Sequence, residues 1–233
     1  MLDRRQIAQE AVTRYNEDRR RFRKKLGLPP EVPPRHPLKY EWTFWNLKGD
    51  RNKDWIECLS EIITVDTIEG FCTVFNYLIP PSALVMGSDF YLFRKGIKPM
   101  WEDENNIQGG RWSFNVRKQQ REDILDFSWL ELAMAITSSV RFKQDVDEIC
   151  GAAASVRFKG DKITLWTRDA SNDSANYRIG RIMFQVLQLD EDNVLHYETH
   201  KNTATRTGSK VKPRLIFPSP GAENSNPVFV DNT

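Results

Sequence analysis

Residues 150–167 read Cys150-Gly-Ala-Ala-Ala-Ser-Val-Arg157-Phe-Lys-Gly-Asp-Lys162-Ile-Thr-Leu-Trp-Thr167. Two runs suited to strands, 150–157 and 162–167, flank a short polar turn that contains Gly160. A gap of that length joins antiparallel neighbours, since a parallel pair needs a crossover of a dozen residues or more. Six further stretches have the same aromatic and β-branched character: 40–47, 56–65, 90–93, 111–116, 194–199 and 214–217. Three helical stretches interrupt them. Asp66-Thr-Ile-Glu69 has the form of a capping box and opens a helix to about residue 78. A second helix covers 118–138, with Ile124, Leu125, Trp129, Leu132 and Ile136 on one stripe, and a third covers 173–187. Strands at hairpin spacing between well-separated helices predict an α+β fold, a mostly antiparallel sheet with helices on one face.

At 233 residues, 39% of them apolar and 11% aromatic, the chain is long enough for one domain with a sizeable core. A net charge of only +2 means that any site for a polyanion must be local. Cys58, Cys72 and Cys150 are scattered and odd in number, which argues against a disulfide framework or a zinc site and for reduced thiols. No apolar run approaches the roughly 20 residues of a membrane helix, and charges begin at residue 3, so neither a membrane span nor a signal peptide is expected. The expected compartment is the cytoplasm, with the nucleus and RNA granules left open. Residues 1–35 hold ten Lys/Arg against five acids, with Ile7, Ala11, Tyr15, Phe22 and Leu26 at helical spacing before Gly27 and paired prolines. They read as a basic N-terminal extension, partly helical or disordered. A domain over 36–217 follows, then a Pro-, Ser- and Asn-rich tail over 218–233 expected to be disordered.

The chemistry concentrates in Gly96-Ile-Lys-Pro-Met-Trp101-Glu102-Asp-Glu-Asn105, where an indole sits beside an acceptor-only carboxylate. A second Trp, Trp55, lies on the polar loop Asn52-Lys-Asp-Trp55. Cations follow at Arg111, Arg157, Lys159 and Lys162. Two aromatic plates, one acid and several cations suit a cationic base that carries a phosphate tail. A guanine methylated at N7 is such a base. Stacked between Trp55 and Trp101 it would gain about 2 kcal/mol of cation–π attraction once desolvated. Glu102 could accept from its N1–H and exocyclic amine. Trp42, Trp45, Trp112, Trp129 and Trp166 read as core residues, and Asp103 and Glu104 as solvated loop acids. His36, His196 and His200 form no HxH or HExxH pattern. No metal, cofactor or enzymatic activity is therefore expected.

These signatures resemble the eukaryotic translation initiation factor 4E family. The matching residues are His36-Pro-Leu38, Trp42-x-x-Trp45, Lys53-Asp-Trp55, Gly96 to Glu104, Gly109-Gly-Arg-Trp112, Trp129-Leu-Glu131, Lys159-Gly-Asp-Lys162, Trp166-Thr167 and Ile179-Gly180. The resemblance implies a curved eight-stranded antiparallel sheet, with three helices on its convex face and a slot for the messenger RNA 5′ cap on its concave face. It assigns base stacking to Trp55 and Trp101, base recognition to Glu102, a methyl contact to Trp166, and the phosphates to Arg157 and Lys162 with help from Arg111. It implies capped mRNA as ligand. It also implies partners bearing a Tyr-x-x-x-x-Leu-hydrophobic motif, namely a large initiation scaffold and translational repressors. These would dock on His36, Pro37, Ile68, Cys72, Leu130, Glu131 and Met134. Ser209 matches a phosphorylated position of some members. The protein alone is expected to be monomeric.

The chain departs from the family on the docking surface. Cys72 stands where Trp is usual, Gly70 falls in the middle of the helix at a cost of about 1 kcal/mol relative to Ala, and Met134 and Ser138 replace Leu and Gly. An interface Trp is worth about 2–4 kcal/mol. Two readings follow. One is an initiation factor whose partners compensate elsewhere. The other, towards which four changes on one surface lean, is a specialised paralogue that represses or stores messages. An enzyme acting on caps, or a bridging module that has lost its ligand, has less support from these residues.

Overall fold

The computed structural model describes residues 35–49, 52, 54–201 and 213–219, together with Glu17, Arg21 and residues 24–27. The chain forms two compact units, Met1–His36 and Pro37–Thr233. In the first, Glu17, Arg21, Lys24 and Lys25 are helical, and Gly27 turns the chain with φ of +66°. The apolar positions expected to make that segment amphipathic lie, apart from Leu26, outside the described residues, as does Ser209.

Among the described residues of the second unit, eight strands build one antiparallel sheet. They are β1 (Pro37–Leu47), β2 (Leu59–Thr67), β3 (Asp89–Arg94), β4 (Gly110–Val116), β5 (Ile149–Ser155), β6 (Asp161–Thr167), β7 (Leu195–Thr199) and β8 (Leu215–Phe217). Their order across the sheet is β2-β1-β3-β5-β6-β4-β7-β8. The eight expected strands are all present, and the sheet is curved.

One boundary was misplaced. Residues 56–58 belong to a short helical turn, α1 (Trp55–Cys58), and not to a strand. The Asp54 carbonyl accepts from the N–H groups of Glu57 (3.0 Å) and Cys58 (3.3 Å), which winds the chain before β2 begins. The long helices are α2 (Ile68–Tyr77), α3 (Asp126–Ser138) and α4 (Asp173–Val186). The cap of α2 is Thr67, whose hydroxyl accepts from Gly70 N–H at 3.2 Å, one residue later than the Asp66-x-x-Glu69 reading. Gly70 thus sits in the first turn and receives the cap, so the penalty expected of a mid-helix glycine does not apply in full. The stretch expected as one helix over 118–138 enters α3 through a 3-10 turn (Lys118–Gln120) and a π-helical turn (Arg121–Leu125). Arg121 is drawn there by the buried Asp161 (2.6 and 2.9 Å).

Strand alternation divides the sheet. Phe44, Leu92, Trp112, Ile163 and Leu165 point to one face and are buried against Leu132 and Ile136 of α3 and Ile179 and Met183 of α4. Residues one position along point to the other face, where Tyr91, Phe93, Cys150, Ala153 and Trp166 form a smaller apolar cluster. Trp42, Trp112, Trp129 and Trp166 are buried, and Trp45 is half-buried on the second face. The three cysteines form no disulfide. Among the described residues no helix is long and apolar enough to cross a membrane.

Trp112 packs flat into α4, donating its indole N–H to the Asn176 carbonyl at 2.8 Å. Gly180 makes the room: a Cβ there would stand 2.4 Å from the Trp112 ring. Helix propensity alone would make Gly180→Ala stabilising by about 1 kcal/mol. Overpacking a rigid indole costs about 1–3 kcal/mol. We expect the second effect to win, with Gly180→Ala lowering the urea midpoint of unfolding.

Candidate nucleotide-binding cleft

The strand registers place the residues of the open face in rows. Phe93, Gly151, Trp166 and Arg111 are direct cross-strand neighbours in one row. Tyr91, Ala153 and Thr164 form the next row, and Asp89, Ser155 and Lys162 the third. The first row is aromatic and the third is charged. Four residues of strand separate them, about 13 Å at the usual rise. The middle of the floor is kept low by the small side chains of β5. At Gly151 a Cβ would meet the Phe93 ring at 2.4 Å, so glycine lets Phe93 lie edge-on to Trp166 (centroids 5.4 Å apart, 75°).

Over this floor lies a cleft of about 520 Å³. It is lined by Trp55, Trp101, Glu102, Arg111, Arg157, Lys162 and Trp166, the full set that the sequence nominated, together with Asp89, Tyr91 and Thr164. Trp55, on α1, is 43% exposed, and Trp101, on the loop after β3, is 40% exposed. Leaving two indoles half in water forgoes stabilisation that burial would have supplied, which marks the cleft as a site for a flat apolar group.

The loop that presents Trp101 and Glu102 is held from within. The carboxylate of Asp103 accepts from the N–H groups of Lys98 and Asn105, both at 2.9 Å. The fully buried Asn106 donates to the carbonyls of Lys98 (2.9 Å) and Met100 (2.8 Å). Asp103 is therefore no solvated loop acid but the brace of the loop. Glu104, by contrast, is exposed.

Sequence reasoning also missed Asp89. It is buried, and both its oxygens accept from Arg157 Nη2 at 2.8 and 2.9 Å. Arg157 Nη1 donates further to the carbonyls of Ser88 (3.1 Å) and Val156 (3.0 Å). The signal was an acid at the head of an apolar strand, which requires a cationic partner when buried. Burial, and secondarily the Asp89 charge, raise the pKa of the neighbouring Tyr91 hydroxyl far above its usual value.

Trp166 floors the aromatic end. It is 6% exposed, and its N–H lies 3.2 Å from the Thr164 hydroxyl. The His200 ring packs against it at a tilt (centroids 4.3 Å apart, 38°), and the Arg111 guanidinium carbon is 5.8 Å from its ring centre. Arg111 also faces Glu198 at 3.9 Å, so it stands beside Trp166 and not in the row of Lys162. Among the described residues no group of acids, histidines and cysteines is arranged to hold a metal.

A family model described as eukaryotic initiation factor 4E matches residues 37–214. The chain belongs to the eukaryotic initiation factor 4E family. It is 49% identical over 196 residues to eukaryotic translation initiation factor 4E-3 of Caenorhabditis elegans, a match spanning 83% of this chain and 78% of that protein. The fold is similar to that of Ascaris suum eIF4E-3 solved with the m2,2,7G cap, at 49% identity and a TM-score of 0.75 over 80% of this chain and 100% of that one. It is likewise similar to C. elegans eIF4E-3 in complex with the 4E-binding protein Mextli and a cap analog. There the identity is 46% and the TM-score 0.73, over 78% of this chain and 99% of that one.

Of the positions that the family resemblance assigns to partner docking, Ile68, Cys72, Leu130, Glu131 and Met134 lie on helices of the second unit. Ile68 (48% exposed) and the exposed Cys72 are on α2. Leu130 and Glu131 are half-buried on α3, and Met134 is exposed. Pro37 is exposed at the start of β1, whereas His36 falls in the N-terminal unit.

His200 carries a testable consequence. Burial, and secondarily the Arg111 charge, push its pKa down to about 3. As pH falls from about 6.5, the unfolded chain takes up a proton that the folded chain refuses. Stability from this group is thus lost at about 1.4 kcal/mol per pH unit down to the folded pKa. Unfolding free energies from urea titrations between pH 7 and pH 4 should fall less steeply in His200→Phe by about that slope.

Proposed function

We propose that this protein binds the 7-methylguanosine cap of messenger RNA in the cleft, as a factor of translation initiation or its regulation. The observation that carries the reading is the pair of half-exposed indoles, Trp55 and Trp101, lining one cleft whose floor runs from an aromatic row to a charged one. The methylated base stacks between the two indoles above Trp166. Ordinary stacking supplies about 1–3 kcal/mol, and the ring's positive charge adds about 2 kcal/mol when water is excluded. Glu102 accepts from N1–H and the exocyclic amine. An unpaired carboxylate is what an adenine would leave, which sets base choice.

The triphosphate then runs towards Lys162 and Arg157. Asp89 offsets much of the Arg157 charge, so Arg157 acts as a fixed fork of donors, and Lys162 in the same charged row is the second cation offered to the phosphates. Arg111 contributes from the far row through its charge on Trp166 and the space above it. The chain is read as a binding protein and not as an enzyme, in keeping with its family.

Relatives extend the reading in two directions. Ascaris suum eIF4E-3 has been solved with the m7G cap as well as the m2,2,7G cap, which supports acceptance of both by this cleft. The C. elegans complex with Mextli supports a partner protein on the helix face. The second reading, a repressor or storage factor, rests on Cys72. A thiol there buries less area than an indole and offers no comparable donor.

Trp fluorescence titration checks the cap reading. We expect 7-methyl-GTP to bind at least tenfold more tightly than GTP, and Trp101→Ala to cost about 2 kcal/mol or more. Equal affinity for the two nucleotides would remove the stacked cation from the account. Capture on cap resin with a peptide of the Tyr-x-x-x-x-Leu-hydrophobic type addresses the docking face. If the missing indole matters, Cys72→Trp should strengthen retention about tenfold or more. An unchanged value would leave the initiation reading alone.

A further inference from the structure

Among the exposed aromatics outside the cleft (Tyr77, Phe127 and Phe158 among the described residues), Phe158 follows directly on a cleft residue and its surroundings are built. Phe158 is 76% exposed at the tip of the β5–β6 hairpin, immediately after Arg157. An exposed Phe on a loose loop would mean little. This one is presented on a fixed turn. The fully buried Asp161 accepts from the Arg157 N–H at 2.9 Å. Arg121, paired with Asp161, also donates to the Arg157 carbonyl at 3.3 Å. Both backbone groups of the residue preceding Phe158 are therefore anchored. Gly160, with φ of +141°, closes the turn, where a Cβ would come within 3.1 Å of the Val116 carbonyl. That contact brings the end of β4 under the tip, and Lys118 Nζ lies 5.3 Å from the Phe158 ring centre.

Direction matters as much as rigidity. The floor proceeds from Trp166 and Arg111 to Lys162 and Asp89, and the next feature along the same axis is this hairpin tip. A base held at the aromatic end would send its phosphates along that line. The cations continue past Lys162 with Lys159, Arg117 and Lys118, while the one acid in the turn, Asp161, is already neutralised by Arg121. An aromatic face bordered by cations is the chemistry of a single-strand stacking platform, in which the ring receives a base and the ammonium groups receive its phosphates.

We propose that Phe158 stacks the first transcribed base of capped RNA, with Lys118 and Lys159 taking the flanking phosphates. The assignment rests on the cap reading and extends it from the cap to the body of the message.

The test compares three probes on the full chain by fluorescence anisotropy or quenching. They are 7-methyl-GTP, a capped pentanucleotide, and the same capped pentanucleotide with an abasic first position. Phe158→Ala should change 7-methyl-GTP affinity less than twofold and weaken the capped pentanucleotide about fivefold or more. Phe158→Trp should restore it. The abasic probe should bind chain and Phe158→Ala alike, because the base and the ring are then the two partners of one contact. Equal losses on all three probes, or none on any, would overturn the proposal. If 7-methyl-GTP fails to bind the unaltered chain, the cap reading itself is at fault, and the two failures are thereby told apart.

Discussion

Neighbouring side chains on a strand face opposite ways, and this chain uses one sheet for two unrelated tasks because of it. On β6, Ile163 and Leu165 are sealed against the helices, while Lys162, Thr164 and Trp166 look into the cleft. Neither set can shift by one residue without burying a lysine and exposing the core. The register that makes the fold stable is therefore the register that lines up the aromatic row, the small row and the charged row. The cleft needs no separate scaffold; it is the reverse side of the core.

What the sheet cannot supply is the position of groups beyond its edges, and buried or braced acids do that. Asp89 aims Arg157, Asp161 pins the hairpin that follows it, and Asp103 folds the loop bearing Trp101. Each satisfies several donors at once, which is the condition under which a carboxylate can leave water without a net loss. A pair such as Asp161–Arg121 would contribute little on an open surface. Its worth here lies in geometry, since it fixes backbone that touches the site. Removing one partner of such a pair costs more than the pair contributes, because the other is left buried and charged.

The strand pattern was legible because alternation and hairpin-length gaps leave a strong mark. Trp55, Trp101, Glu102, Arg111, Arg157 and Lys162 were legible because indoles beside polar loops, with an acid and cations near them, are hard to account for as core, whereas Trp166 read as core and entered the cleft set only through the family resemblance. The supports were not. Asp103 reads like any other loop acid until its two N–H partners are seen. Asp89 lay one residue outside the expected strand, where its cleft-facing side could not be inferred. Trp55 was placed correctly as a site residue, yet Ile56 and Cys58 suggested a strand, and only the carbonyl of Asp54 decides for a helical turn. Thr67 displaced Asp66 as cap for a similarly local reason, the hydroxyl reach to Gly70. Only the Asp89–Arg157 pair joins residues far apart in the chain; the other misses are local hydrogen bonds that depend on a backbone conformation which residue types leave open.

The buried pairing of Trp166 with a neutral His200, next to a Tyr91 that keeps its proton, has an implication for measurement. None of these three floor residues changes charge across the ordinary buffer range. A dependence of ligand affinity on pH in that range would not originate beneath the base. It would originate at the rim of the cleft or on the ligand itself, with the floor as a fixed background to both.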